Sequence, residues 1–239
     1  MNTMKKTLLA LTALCTLAGV SFGTTRPSQA ADGMMKMQNG ADYTVTFSGM
    51  WNEKNQPFEY PSGGALNPNG PHFSGLIGAT HNLGYSLFKD GMMPTPGLEK
   101  LSEEGAHSPL DQEIKMGMMM NTVGQLFETD FFLDVNAPKM FTVHVSDQYP
   151  LVSVVGMIAP SPDWFVGVAN VNLMENGKWV DSKSVDAYAW DAGSDDGATY
   201  LAADKDASPK HPTMMASGKH FMMKNMTPPV ARLTFVKNK

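Results

Sequence analysis

In Asp42–Met50, Tyr43, Val45 and Phe47 alternate with Thr44, Thr46 and Ser48. This is the period-two pattern of a half-buried strand. Met140–Val145 repeats it, with Phe141, Val143 and Val145 on one side and Thr142 and His144 on the other. Leu151–Ala159 is an almost unbroken apolar run ended by Pro160 and Pro162, as expected of a central strand of a sandwich. Trp164–Leu173 resumes with Phe165, Val166 and Val168 and breaks near Asn176-Gly177, a hairpin turn signal. Trp179–Trp190 reads as the return strand, and Pro229–Val236 as a last strand in which Ala231, Leu233 and Phe235 alternate with Arg232 and Thr234. Two stretches lean helical. Pro96–Glu104 carries Leu98 and Leu101 at i,i+3 and stops at Gly105, and Leu110–Met120 is interrupted only by Gly117. Residues 52–82, rich in Pro, Gly, Asn and His, read as loops with one strand near Phe73–Ile77. The pattern predicts an all-β chain, one antiparallel β-sandwich with long loops and one or two short helices.

The N-terminus has a different character. Lys5 and Lys6 precede a thirteen-residue apolar run, Leu8–Val20, and small residues at Ser28 and Ala30 follow. That run is too short to span about 30 Å of hydrocarbon, and the order suits a secretory signal. Residues 1–30 are therefore expected to be a removable leader, 31–41 a loose arm and 42–239 the folded domain. The short leader suggests a bacterial source and a periplasmic or extracellular destination.

Composition narrows the partners. Of 239 residues, 18 are basic and 23 acidic; removing Lys5, Lys6 and Arg26 with the leader moves the formal charge from −5 to −8. Nucleic acid and anionic membrane surfaces favour basic faces and are poor candidates. The single cysteine, Cys15, lies in the leader, so the mature chain has no disulfide, cysteine zinc site or thiol nucleophile.

The acids are unevenly placed. Asp181, Asp186, Asp191, Asp195, Asp196, Asp204 and Asp206 crowd one stretch opposed only by Lys183 and Lys205. At its centre, Trp190-Asp191-Ala192-Gly193-Ser194-Asp195-Asp196-Gly197 is a glycine turn able to aim carboxylates at one point. Like charges so gathered repel unless a cation collects them, and calcium suits irregular oxygen sites. The spacing is not that of an EF-hand, since Gly193, Asp196 and Ala202 occupy positions that need ligand, glycine and glutamate. An exposed polar turn carrying no ion remains the alternative. Asp163 is the second element, in Pro160-Ser161-Pro162-Asp163-Trp164; it either caps a turn or joins the hairpin acids at one end of the sandwich.

The run Ser161-Pro162-Asp163-Trp164-Phe165-Val166-Gly167-Val168, followed by Trp190-Asp191-Ala192-Gly193-Ser194-Asp195, resembles the signature of the spondin N domain. Gly49-Met50-Trp51, His72-Phe73-Ser74, Glu103-Glu104-Gly105 and Pro228-Pro229-Val230-Ala231 match in order. The resemblance implies a C2-like antiparallel sandwich with a calcium ion held by loop aspartates, by position Asp163, Asp191 and Asp195, with Asp196 as an extra acid. It implies a non-enzymatic module presenting loops to a protein or glycan partner that the sequence does not identify. Animal members carry cysteines and neighbouring repeats that supply matrix partners, so their adhesion roles do not transfer.

Twenty methionines form the other oddity. Met34-Met35-Lys36-Met37, Met116-Gly117-Met118-Met119-Met120 and the tail His211, Met214, Met215, His220, Met222, Met223 and Met226 group soft thioethers, twice without and once with imidazoles. Such donors suit copper(I), the alternative function, although the clusters lack one repeated ligand spacing and adaptable core filling or oxidant trapping accounts for them more simply. His72 and His81 are expected to have structural hydrogen-bonding roles. No Gly-x-Ser-x-Gly elbow or HExxH pair is present, and Glu103 and Glu104, adjacent on a helix, diverge. An enzyme is not expected.

Overall fold

The computed structural model describes residues 39–63, 70–130 and 133–239; the leader and residues 31–38 of the arm lie outside them. In chain order the elements are β1 (Gly40–Gly49), β2 (His72–Phe73), β3 (Ile77–His81), α1 (Pro96–Glu104), α2 (Leu110–Met119), β4 (Val123–Glu128), β5 (Leu133–Asp134) and β6 (Lys139–Ser146). There follow β7 (Leu151–Ala159), β8 (Trp164–Asn172), β9 (Met174–Glu175), β10 (Lys178–Trp179), β11 (Ser182–Asp191), β12 (Met214–Met215) and β13 (Ala231–Lys237). The fold is all-β and antiparallel. One sheet runs β4-β3-β7-β8-β11-β13-β1-β6. Its end strands meet: the His144 N–H donates to Gln125 Oε1 at 2.7 Å, and Phe127 stacks on Phe141 at 5.3 Å between centroids. The sheet thus nearly closes on itself.

Alternation along the strands fills the interior. Tyr43, Val45 and Phe47 of β1 point inward beside Val143 and Val145 of β6 and Leu233 and Phe235 of β13. A second core lies outside the sheet, where Ile77, Val155 and Phe165 meet Leu98 and Leu101 of α1 and Leu110 and Ile114 of α2. β7 faces both cores, Val152 and Val154 one and Val155 the other, and each of its nine residues is buried. That double coverage is the physical reason for its unbroken apolar run. Full burial of one Leu or Ile is worth about 1.5–3 kcal/mol, so the helices stay on the sheet without long hydrophobic faces.

Local chemistry sets the helix positions. Thr95 Oγ1 accepts the Leu98 N–H at 3.1 Å to cap α1, Pro96 opens it, and Gly105 at φ 68° ends it. α2 begins without a side-chain cap. Its Glu113 reaches across to accept the Gly97 N–H and the Thr95 hydroxyl, each at 2.7 Å, which fixes the two helices together. Asn176 (φ 51°) and Gly177 (φ 73°) make the tight turn between β9 and β10. The expected single return strand is two pieces, β10 and β11. β13 lies between β11 and β1, so the tail is part of the sheet's middle. No helix among the described residues is long and apolar enough to cross a membrane.

Candidate metal centre

β8 and β11 pair with Trp164 opposite Asp191, and the Ala192 N–H continues the ladder to the carbonyl of Asp163. The loop entering β8 and the loop leaving β11 therefore emerge at one end of the sheet. Ser161 shapes the first: its hydroxyl donates to Ile158 O at 2.5 Å and accepts the Trp164 N–H at 3.1 Å. Gly193 shapes the second. Its φ is 80°, and a Cβ there would collide with the His211 carbonyl, so glycine is required on both counts.

Asp163 is wholly buried. Its Oδ2 accepts the backbone N–H groups of Ser194 at 2.8 Å and Asp195 at 3.2 Å. Its Oδ1 is buried and has no hydrogen-bond partner among the described residues. Burial, then the negative charge of Asp191, pushes the Asp163 carboxyl up to about 6. Asp191 is raised as well, mainly by burial, against the Gly193 amide and the Trp164 indole, which hold it down. The Gly193 N–H reaches Asp191 Oδ1 at 2.9 Å. Two neighbouring carboxylates are thus withdrawn from water without a cationic side chain in hydrogen-bond contact, the arrangement that costs most when both are ionised.

Asp195 enters differently. It meets Asp163 through its backbone N–H, while its own Oδ1 accepts the Gly197 N–H at 2.5 Å and its Oδ2 the Lys205 N–H at 2.6 Å. Asp191 lines a cavity of about 300 Å³ with Trp164, Gly197, Met214 and His220. Asp195 lines another of about 230 Å³ with Glu103, Glu104 and Asp204. The structure so brings Asp163 and Asp191 together and turns the carboxylate of Asp195 towards the loop it caps. Asp196 is exposed and pairs with Lys205 Nζ at 3.2 Å and His211 Nε2 at 3.4 Å. Among the described residues, no three His, Cys, Asp or Glu side chains are grouped so as to hold a metal ion on their own.

Glu103 is a residue that sequence reasoning set aside. From the last turn of α1 it bonds the Ser194 hydroxyl, and its Oε1 is buried with no hydrogen-bond partner among the described residues. Burial raises its carboxyl too. The helical spacing correctly separates it from Glu104, but only the packing of α1 on the sheet carries it to the aspartate loop.

The family model described as Spondin_N matches residues 41–225, which include both loops. The chain belongs to that family. It is 29% identical to human Spondin-2 over 238 residues, covering 94% of this chain and 70% of the relative. Rat Spondin-2 is 30% identical over 243 residues, 96% of this chain and 68% of the relative. Human Spondin-1 is 30% identical over 175 residues, 71% of this chain but 21% of the relative, so the chain spans about a fifth of that protein. These relatives are animal proteins and leave the bacterial source suggested by the leader as an expectation.

The spondin core also contains a serine–histidine pair, Ser153 Oγ and His81 Nε2 at 2.7 Å. Both residues are 0% exposed. Ser153 Oγ accepts the Asn170 N–H at 3.0 Å, and His81 Nδ1 lies 2.9 Å from the Asn82 carbonyl, which assigns the proton to Nδ1. Every polar atom of the pair is committed to holding β3, β7 and β8 together. His72 Nδ1 contacts the Gly70 carbonyl at 2.8 Å. Both histidines have the structural roles expected of them.

Proposed function

We propose that this spondin-family chain is a secreted, non-enzymatic binding module, periplasmic or extracellular, whose end loops are locked by one calcium ion at Asp163, Asp191 and Asp195. The Oδ1 of Asp163 carries the reading, because a buried carboxylate oxygen with no hydrogen-bond partner among the described residues, on a carboxyl that also feels the charge of Asp191, has the chemistry of a cation ligand. Calcium accepts carbonyls and water alongside carboxylates, so two acids in place can nucleate a site that a three-acid cage would otherwise supply. The contribution of Asp195 competes with the Gly197 and Lys205 amides that its oxygens already accept. When bound, the ion would neutralise Asp163 and Asp191 and stiffen the two loops as a platform for a protein or glycan partner. Family membership supports the extracellular, non-catalytic part, and the burial of the Ser153–His81 pair agrees with it.

Extracellular calcium sites of this kind have dissociation constants of about 10⁻⁴–10⁻³ M. Tenfold excess of calcium over that constant should stabilise the fold by about 1.4 kcal/mol. The test is a thermal melt in chelator and then in millimolar calcium, on wild type and Asp191→Ala. A calcium-dependent rise confined to wild type supports the site; the absence of any rise removes it.

A further inference from the structure

The methionines divide once the fold is known. The tail group has other work: His220 is buried among Trp164, Tyr200 and Phe58, with its Nε2 3.0 Å from Glu59, and His211 faces Asp196. Met214 and Met215 are successive residues of a strand and so point to opposite sides.

α2 is different. Its core face is Leu110, Ile114 and Gly117, whereas Met116, Met119 and Met120 are 57%, 79% and 69% exposed. Core filling therefore does not explain them. At about 100° per residue the three fall on one sector of the helix, one turn apart. The Met120 N–H donates to Met116 O at 3.0 Å, which holds that register through the C-cap. Gly117 keeps the face outward: a Cβ there would stand 2.7 Å from Val123 Cγ2, so the inner side of α2 sits hard against the start of β4.

We infer that Met116, Met119 and Met120 form a thioether site for a soft monovalent cation, copper(I), on the exposed face of α2. Met119 and Met120, at i+3 and i+4, each neighbour Met116, and the three long unbranched side chains offer polarizable sulfurs to one ion above it. The last turn of α2 carries no basic residue, so the negative end of the helix dipole lies beside the sulfurs without a competing cation in that turn. Neutral thioethers exclude calcium and magnesium, which take oxygen, and they survive in an oxidising compartment where thiols do not. The site is remote in chemistry from the aspartate loops and stands or falls independently of calcium.

The experiment is an anaerobic titration of the mature chain with copper(I) against a chromophoric copper(I) chelator, paired with NMR of the methionine ε-methyl groups. Expected are one equivalent of uptake and joint displacement of three methyl signals. Both vanish in Met116→Leu/Met119→Leu/Met120→Leu, which keeps apolar bulk and an unchanged melting midpoint, and both persist in Met214→Leu/Met215→Leu. No uptake by wild type, or uptake by the triple variant equal to wild type, overturns the assignment. Truncation of the tail is unsuitable as a control, because β13 is an interior strand of the sheet.

Discussion

Asp163 Oδ2 accepts the backbone N–H of Ser194 at 2.8 Å across 31 residues of chain, and in doing so fixes one loop on the other before any ion is bound. The same carboxylate leaves Oδ1 buried with no hydrogen-bond partner among the described residues, on a side chain that feels the Asp191 charge. Preorganisation and unrelieved charge therefore sit in one side chain, and most predictions turn on it.

Asp163→Asn should separate the two. The amide oxygen can keep the Ser194 and Asp195 N–H bonds, while the loss of charge removes the repulsion from Asp191. In chelator this variant should melt higher than wild type, by about 2–4 °C for each kcal/mol gained in a domain of this size. In calcium it should show no further rise. Differential scanning calorimetry with and without calcium reads both effects.

The pH dependence follows from the sign of the shift. Asp163 binds its proton more tightly folded (about 6) than unfolded (3.8). Its ionisation therefore costs stability fully above about pH 6 and not at all below about pH 4, on the order of 3 kcal/mol across that window. His81 acts in the opposite sense, since burial lowers its proton affinity and the unfolded chain gains protons first as pH falls below 6.5. The clean readout is the difference between wild type and Asp163→Asn in chelator, which should shrink as pH falls from 7 to 4. Calcium affinity of wild type should weaken over the same interval, because proton and ion compete for one oxygen.

Gly193→Ala should destabilise the loop. The left-handed φ alone costs about 1–2 kcal/mol for a residue with a Cβ, and the collision with the His211 carbonyl adds to it. Urea denaturation should show a lower midpoint, and calcium titration a weaker affinity, because Ser194 and Asp195 no longer hold their amides on Asp163.

Ile114→Ala tests whether stability and binding are separable. Ile114 is fully buried between α2 and the sheet, and its truncation should cost about 2–5 kcal/mol. The calcium-induced rise in melting midpoint should remain, since the hydrogen bonds that hold Asp163 and Asp191 come from Gly193, Ser194 and Asp195 and not from α2.

Much of the fold was legible because burial imprints itself on β-strands with a period of two. Tyr43, Val45 and Phe47 point inward as their alternation indicates, and Leu151–Ala159 is covered on both faces as its apolar run requires. β4 was not legible. Gly124 lies under the Tyr149 ring, and that packing replaces the side chain that would have marked the alternation. β2 and β5, two residues each, are too short to carry any period. The glycine turn and the proline loop emerge at one end of the sheet, as their positions on paired strands suggest. The direction of the Asp195 carboxylate was not readable, since it is set by the amides of Gly197 and Lys205, and the approach of Glu103 depends on helix packing 90 residues away.

The most direct measurement of the central claim is terbium luminescence excited through tryptophan. Trp164 pairs with Asp191 in the ladder, and its indole helps hold that carboxylate, so a lanthanide standing in for calcium there would lie within short range of the ring. Sensitised terbium emission is expected, displaced by millimolar calcium and abolished in Asp163→Asn and Asp191→Asn. Emission that is absent in wild type, or that persists unchanged in both variants, would contradict it.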